Sequence, residues 1–254
     1  DPPMFKVILS GATGAMGRVL AARAKDFDIE VAAGLDRVAD PAFPFPIYTN
    51  PEGCREEADA VIDFSHPSFL PALLDFCTGR GLPVVVATTG MAEEDYQRIR
   101  AAAEKIPVFF TFNMSLGVNL LTELARKAAG VLGDGFDIEI VEQHHNRKID
   151  APSGTAIMIA NAVAGGTSYD PEYVYDRHSV RKRREKNEIG IHSIRGGTIV
   201  GEHEVIFAGT DEIITLSHSA RSKDVFAVGA FKAAKYIKGR APGLYDMKNL
   251  IEDS

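Results

Sequence analysis

Apolar positions fall in short blocks along the first half of the chain. Runs rich in β-branched residues at 5–10, 29–35, 58–64, 83–88 and 108–111 read as buried strands. Between them, 19–25, 70–78 and 93–105 read as helices. Strand and helix in alternation predict a doubly wound parallel sheet. The strand ends at Asp36, Ser65, Thr88 and Asn113 would open onto one carboxyl edge, where such sheets bind ligands. The pattern changes near Ser115. A helix over 120–131, a strand over 136–141 and a helix over 156–164 precede three strands, 189–195, 199–207 and 212–220. Gly196-Gly197 and Gly209-Thr210-Asp211 supply the turns. These strands predict a second, mostly antiparallel or mixed sheet, whose outer face is β-branched enough to pack against another subunit. A last helix over 226–237 is stopped by Gly239 and Pro242.

The first strand runs into Gly11-Ala12-Thr13-Gly14-Ala15-Met16-Gly17-Arg18. Strand, glycine turn and helix start form the layout that cradles a pyrophosphate: glycine admits a close backbone, and helix N–H groups meet the charge. The spacing is G-x-x-G-x-x-G, and a tight βα turn needing glycine for itself is the plain alternative. Asp36, ending the second strand, stands where a Rossmann fold holds ribose hydroxyls. Arg37 could accept a 2′-phosphate through its planar fork. Together they suggest that NADH and NADPH each bind. His66 reads as a loop residue near the cofactor.

Composition narrows the class. The 254 residues suffice for one large or two moderate domains, and a net charge of -7 argues against general nucleic-acid affinity. Cys54 and Cys77 have no metal or redox spacing, which fits a reduced cytosolic setting. No apolar run reaches membrane-spanning length, and no signal peptide is expected. The basic run Arg181-Lys182-Arg183-Arg184 reads as a solvated loop face.

The densest polar chemistry lies at 142–156, EQHHNRKIDAPSGTA. His144 and His145 can exchange protons near neutrality. Lys148 offers a charge and, if desolvated, a proton. Pro152 and the preceding strand place this span in a loop, so loop folding must bring His144 and Lys148 together. Ser153-Gly154-Thr155 opens a helix and suits a carboxylate, although a simple N-cap is the alternative. A cation beside an anion-binding helix start suggests an acidic substrate, and a nearby nicotinamide suggests hydride transfer. Paired histidines beside Glu142 could ligate a metal, but no third ligand is spaced for it, and none is expected. A short-chain dehydrogenase is excluded, because no tyrosine is followed four residues later by lysine.

The pattern E-x-H-H-x-x-K-x-D-x-P-S-G-T-A, present from Glu142 to Ala156, resembles the 4-hydroxy-tetrahydrodipicolinate reductase (dihydrodipicolinate reductase) family. Asp63-Phe64-Ser65, Thr88-Thr89-Gly90, 113–119, Arg195-Gly196-Gly197 with Gly201-Glu202-His203, and 243–247 extend the resemblance over nearly the whole chain. It implies an NAD(P)H-dependent reduction in the diaminopimelate route to lysine, in the cytoplasm, by a homotetramer. It also implies His144 as proton donor/acceptor and Lys148 as proton donor. His145, Ser153, Gly154 and Thr155 would hold the substrate. Gly11, Ala12, Thr13, Gly14, Ala15, Met16, Asp36, Arg37, Ala87, Thr88, Thr89, Thr111, Phe112, Asn113 and Met114 would line the cofactor. The implied fold is α/β: a Rossmann-type parallel-sheet domain, 1–115 with 223–254, and an α+β substrate and oligomerisation domain with a mixed sheet, 116–222. Ala87, Phe112, Met114 and Lys223 depart from residues common in the family. A non-catalytic NAD(P)-binding sensor, or a two-domain dehydrogenase of another small acid, are the other readings.

Overall fold

The structure is a computed structural model that describes residues 2–254. In chain order the first elements are β1 (Phe5–Ser10), α1 (Ala15–Arg23), β2 (Ile29–Leu35), β3 (Ile47–Tyr48), β4 (Ala60–Asp63), α2 (Leu70–Arg80), β5 (Val84–Val86), α3 (Glu93–Ala103) and β6 (Pro107–Phe110). Then come α4 (Leu116–Leu132), β7 (Asp137–His144), α5 (Gly154–Gly166), β8 (Glu172–Val174), β9 (Glu188–Arg195), β10 (Gly201–Ala208) and β11 (Ile213–Ala220). The chain ends in α6 (Asp224–Ile237), β12 (Gly243–Tyr245) and α7 (Met247–Glu252). It divides into two compact units, Asp1–Leu116 with Lys223–Ser254, and Gly117–Ser222.

The first unit carries a seven-stranded sheet in the order β12-β6-β5-β4-β1-β2-β3, and every pairing is parallel. Its strands read as continuous apolar runs because both faces are covered. Side-chain alternation divides them. Val7, Leu9, Ile62, Val85 and Phe109 face a core with α1, α6 and α7. Ile8, Val61, Val84, Val86 and Val108 face α2 and α3. Neighbouring strands leave β1 in opposite chain directions, to β2 on one side and β4 on the other. The turn after β1 therefore sits at the switch point, where a crevice opens.

The second unit has a five-stranded mixed sheet, order β11-β10-β7-β9-β8. β10 is antiparallel to β7 and β11, whereas β9 is parallel to β7 and β8. Ile138, Ile140, Ile189, Ile191, Val205 and Phe207 form its core with α4 and α5.

Several elements differ from the sequence expectation. β3, β8 and β12 are two or three residues long, too short for a periodic signal. α1 starts at Ala15, inside the glycine turn, because Gly17 lets the helix pack on it: a Cβ there would lie 2.2 Å from Gly11 O. β7 runs on to His144, so that histidine ends a strand instead of lying in the loop. The basic run is not all solvated. Arg184 donates to the Ile138 and Glu188 carbonyls and pairs with Asp137 and Glu139, and Lys182 pairs with buried Glu188.

Candidate active site

In the first unit a trough runs along the carboxyl edge of the sheet. A cavity of about 290 Å³ is lined by Gly11, Thr13, Gly14, Asp36, Arg37 and His66, among others. A second, of about 480 Å³, is lined by Ala15, Met16, Ala87, Thr88, Thr89, Thr111, Phe112, Asn113, Met114, Lys223 and Phe226. Phe64 and Ser65 line both, so the two lie end to end. Every residue expected at the cofactor lines this trough except Ala12. Ala12 is fully buried in the core and serves packing. Phe112 is 73% exposed and stacks its ring edge-on with Phe110, which leaves an aromatic surface at the trough.

The geometry of the turn comes from its glycines. Gly11 adopts φ +80, and a Cβ on it would lie 2.4 Å from Phe64 O. Gly14 caps α1 with extended backbone and no side-chain hydrogen bond. The helix therefore begins with N–H groups and a positive dipole end directed at the trough, a fit for a pyrophosphate. Asp36 accepts from the Thr13 N–H at 2.9 Å and the Thr13 hydroxyl at 2.7 Å, and from the Arg37 N–H at 2.7 Å. Arg37 donates to Ser68 Oγ at 2.8 Å and is exposed.

Beneath the trough lies Asp63, fully buried at the end of β4. It accepts from the hydroxyls of Ser10, Ser65 and Thr88 at 2.6–2.7 Å. Burial pushes its carboxyl up, and the hydroxyls of Ser65, Thr88 and Ser10 oppose that push. One carboxylate thus ties the ends of β1, β4 and β5 and orients two residues of the trough wall.

The second unit gathers the other group. His144 ends β7 with its Nδ1 2.6 Å from Glu142 Oε2. Gly196 N–H donates to the His144 carbonyl, and Asn146 N–H to Gly197 O, so the loop after β7 is tied to the turn after β9. Lys148 N–H closes a turn on His145 O, and its Nζ lies 2.9 Å from Asp150. His145 is half-buried, and its Nδ1 accepts from Arg147 N–H. Ser153 is buried and caps α5 by accepting from Ala156 N–H at 3.0 Å. Gly154 and Thr155 form the first turn of that helix. Among the described residues no group of three or more His, Cys, Asp or Glu converges to hold a metal.

Three residues of this cluster were not singled out as site residues from the sequence. Glu142 is fully buried, takes both Arg195 amino groups at 2.9 and 2.8 Å, and accepts from Ser153 N–H. Burial pushes its carboxyl up, but hydrogen bonds from Arg195 and His144 outweigh that and hold it at about 2. His203 is buried, packs edge-on against His144 at 5.3 Å and lies 2.9 Å from Ser153 Oγ. Burial and the nearby His144 push it down to about 4. Arg195 reaches Glu142 because β7 and β9 pair in parallel. No local spacing signals that pairing across 53 positions.

The chain resembles known proteins over both units. The family model for the dihydrodipicolinate reductase N-terminus matches residues 5–114, and that for its C-terminus matches 117–251. The 4-hydroxy-tetrahydrodipicolinate reductase of Caldanaerobacter subterraneus subsp. tengcongensis is 51% identical over 98% of this chain and 99% of that protein. That of Clostridium novyi is 45% identical, with 98% and 99% covered. Among solved structures, a dipicolinate-bound dihydrodipicolinate reductase from Paenisporosarcina sp. TG-14 superposes with a TM-score of 0.81 at 24% identity, covering 96% of this chain and 98% of that one, a likeness of fold. With both parts of the chain matched and relatives near half identical over their full length, the chain belongs to the dihydrodipicolinate reductase family.

Proposed function

We propose that the chain reduces 4-hydroxy-tetrahydrodipicolinate to tetrahydrodipicolinate with NADH or NADPH, in the diaminopimelate route to lysine. The observation that carries the reading is the 142–156 run, complete in this chain and built around His144, Lys148 and the start of α5. A sensor without catalysis has no use for that proton-handling pair.

NADH or NADPH, when held in the trough, would supply the hydride for C4 of the heterocycle, with the 4-hydroxyl lost as water. The reaction consumes one proton overall, which the protein must deliver. Lys148 is the proton donor, and its ammonium also favours the dianionic substrate. His144 gives and takes protons at the ring nitrogen that does not face Glu142. Gly154 and Thr155 hold a substrate carboxylate at the positive end of α5, and Ser153 keeps that end in place as its cap. His145 contacts the substrate from the same loop. In the first unit, Gly11 and Thr13 to Met16 hold the pyrophosphate. Asp36 and Arg37 take the ribose end, and Ala87 to Thr89 with Thr111 to Met114 line the nicotinamide end.

The partner is thus a small dicarboxylate heterocycle. The enzyme works in the cytoplasm; no helix among the described residues is long and apolar enough to cross a membrane. A homotetramer is favoured by the sheet of the second unit. α4 and α5 cover one face. By strand alternation Ile194 and Ile213, both exposed, belong to the other. Light scattering at micromolar protein tests this, and a monomer mass would refute it.

Activity is tested by mixing enzyme, enzymatically made substrate and either nucleotide, and following the reduced nicotinamide absorbance. Substrate-dependent oxidation supports the reading, and its absence with both nucleotides ends it. Strong competition by pyridine-2,6-dicarboxylate separates it from a dehydrogenase of another small acid.

A further inference from the structure

The polar groups around His144 in the second unit converge on one carboxylate. Glu142 Oε2 faces His144 Nδ1 at 2.6 Å and accepts from Arg195 at 2.9 Å. Its Oε1 accepts from Ser153 N–H at 3.1 Å and from Arg195 at 2.8 Å. The Ser193 side chain hydrogen-bonds the same carboxylate, so four residues, His144, Arg195, Ser153 and Ser193, share the two oxygens of a fully buried side chain. An ionised carboxylate only accepts hydrogen bonds, so the nitrogen facing it at this distance carries a proton. A neutral His144 then has its lone pair on Nε2.

The rest of the cluster fits that assignment. Arg195, from β9, pairs with Glu142 and balances its charge. His203, from β10, is engaged with Ser153 and offers His144 no competing acceptor. Lys148 and Asp150 pair with each other in the loop after β7, and Arg195 also donates to the Asp150 carbonyl at 2.8 Å. On the far side of the ring stands Gly201. A Cβ there would lie 3.2 Å from Nε2 and 3.6 Å from Cδ2. Glycine leaves that nitrogen uncovered.

We infer that Glu142 is a positioning residue: it fixes His144 in the Nδ1–H tautomer, leaves Nε2 as the proton-exchanging atom, and ties the same ring to the start of α5 through Ser153. The mechanistic consequence rests on the proposed role of His144, but the tautomer does not.

The test uses full-length protein labelled with ¹⁵N-histidine, read by magic-angle-spinning NMR, with the His144 signals assigned by their loss in His144→Gln. The wild type is expected to show Nδ1 protonated and Nε2 unprotonated when neutral. In Glu142→Gln one oxygen becomes an amide NH₂. Ser153 N–H and Arg195 still need the remaining oxygen, so the NH₂ turns to His144, which can accept only by moving its proton to Nε2. The expected result is an inverted tautomer and a turnover lower by about 10²-fold, with nucleotide affinity unchanged. Glu142→Asp, which restores an acceptor, should return the wild-type tautomer. An Nε2–H ring in the wild type overturns the inference whether or not any variant folds, and so does a Glu142→Gln ring that stays Nδ1–H. An inverted tautomer with full turnover would uphold Glu142 as the tautomer's determinant and remove His144 from its proposed role.

Discussion

Ser153 Oγ and His203 Nε2 meet at 2.9 Å across 50 positions of sequence. The serine oxygen already accepts the Ala156 N–H, which leaves its hydroxyl hydrogen for Nε2 of a neutral His203. Burial, then the nearby His144, lowers His203 from 6.5 to about 4. The unfolded chain therefore binds a proton near pH 6.5 that the folded chain refuses until about pH 4. Stability should fall as pH drops through that window. Glu142, lowered from 4.5 to about 2, adds a separate loss at still lower pH. Urea denaturation across pH will show a shallower loss between about 6.5 and 4 in His203→Gln. An unchanged slope would mean that His203 titrates normally in the fold.

Gly11 and Gly90 both have positive φ, +80 and +76, but only Gly11 is crowded. A Cβ at Gly11 meets Phe64 O at 2.4 Å, whereas nothing lies within 4 Å at Gly90. Gly90→Ala should cost about 1 kcal/mol, the left-handed backbone alone. Gly11→Ala should cost about 3 kcal/mol or more and abolish nucleotide binding. Denaturation midpoints with a fluorescence titration of NADH will separate them, and equal costs would contradict the crowding.

Asp63 accepts the Ser10 and Thr88 hydroxyls, each at 2.7 Å. Asp63→Ala leaves those donors buried without it, at a cost of about 2–4 kcal/mol. Because Ser65 and Thr88 also line the trough, nucleotide affinity should fall with stability. Calorimetry and nucleotide titration will check both. A stable variant with wild-type affinity would remove Asp63 from this role.

Asp36 repels a 2′-phosphate and Arg37 attracts it. Arg37→Ala removes the attraction and leaves the Asp36–Thr13 contacts intact. The NADPH dissociation constant should rise about tenfold, a loss of about 1.4 kcal/mol, while that for NADH changes little. Parallel losses for both nucleotides would place Arg37 elsewhere than at the phosphate.

What could be read from the sequence follows the range of the interactions. β1, the glycine turn and β2 were legible because each is a local signal, an apolar run or a glycine spacing. The mixed second sheet was legible in kind but not in order, since the parallel pairing of β7 with β9 has no local marker. That pairing hid Arg195 from Glu142. His203 falls within the strand expected over 199–207, and only its pairing opposite Glu142 on β7 puts it in the polar cluster. Arg184 read as solvated because a run of basic residues does not show which member turns inward. His144 and Lys148 were legible as residue types; their different settings, a strand end and a loop, needed the fold.

In the proposed reaction His144 and Lys148 handle protons for hydride transfer to the heterocycle. The most direct test is turnover of His144→Gln and Lys148→Ala at saturating substrate and nucleotide, with nucleotide dissociation constants measured alongside. Turnover should be lower by about 10²-fold or more in each, with wild-type nucleotide affinity. Near-wild-type turnover in either variant would contradict it.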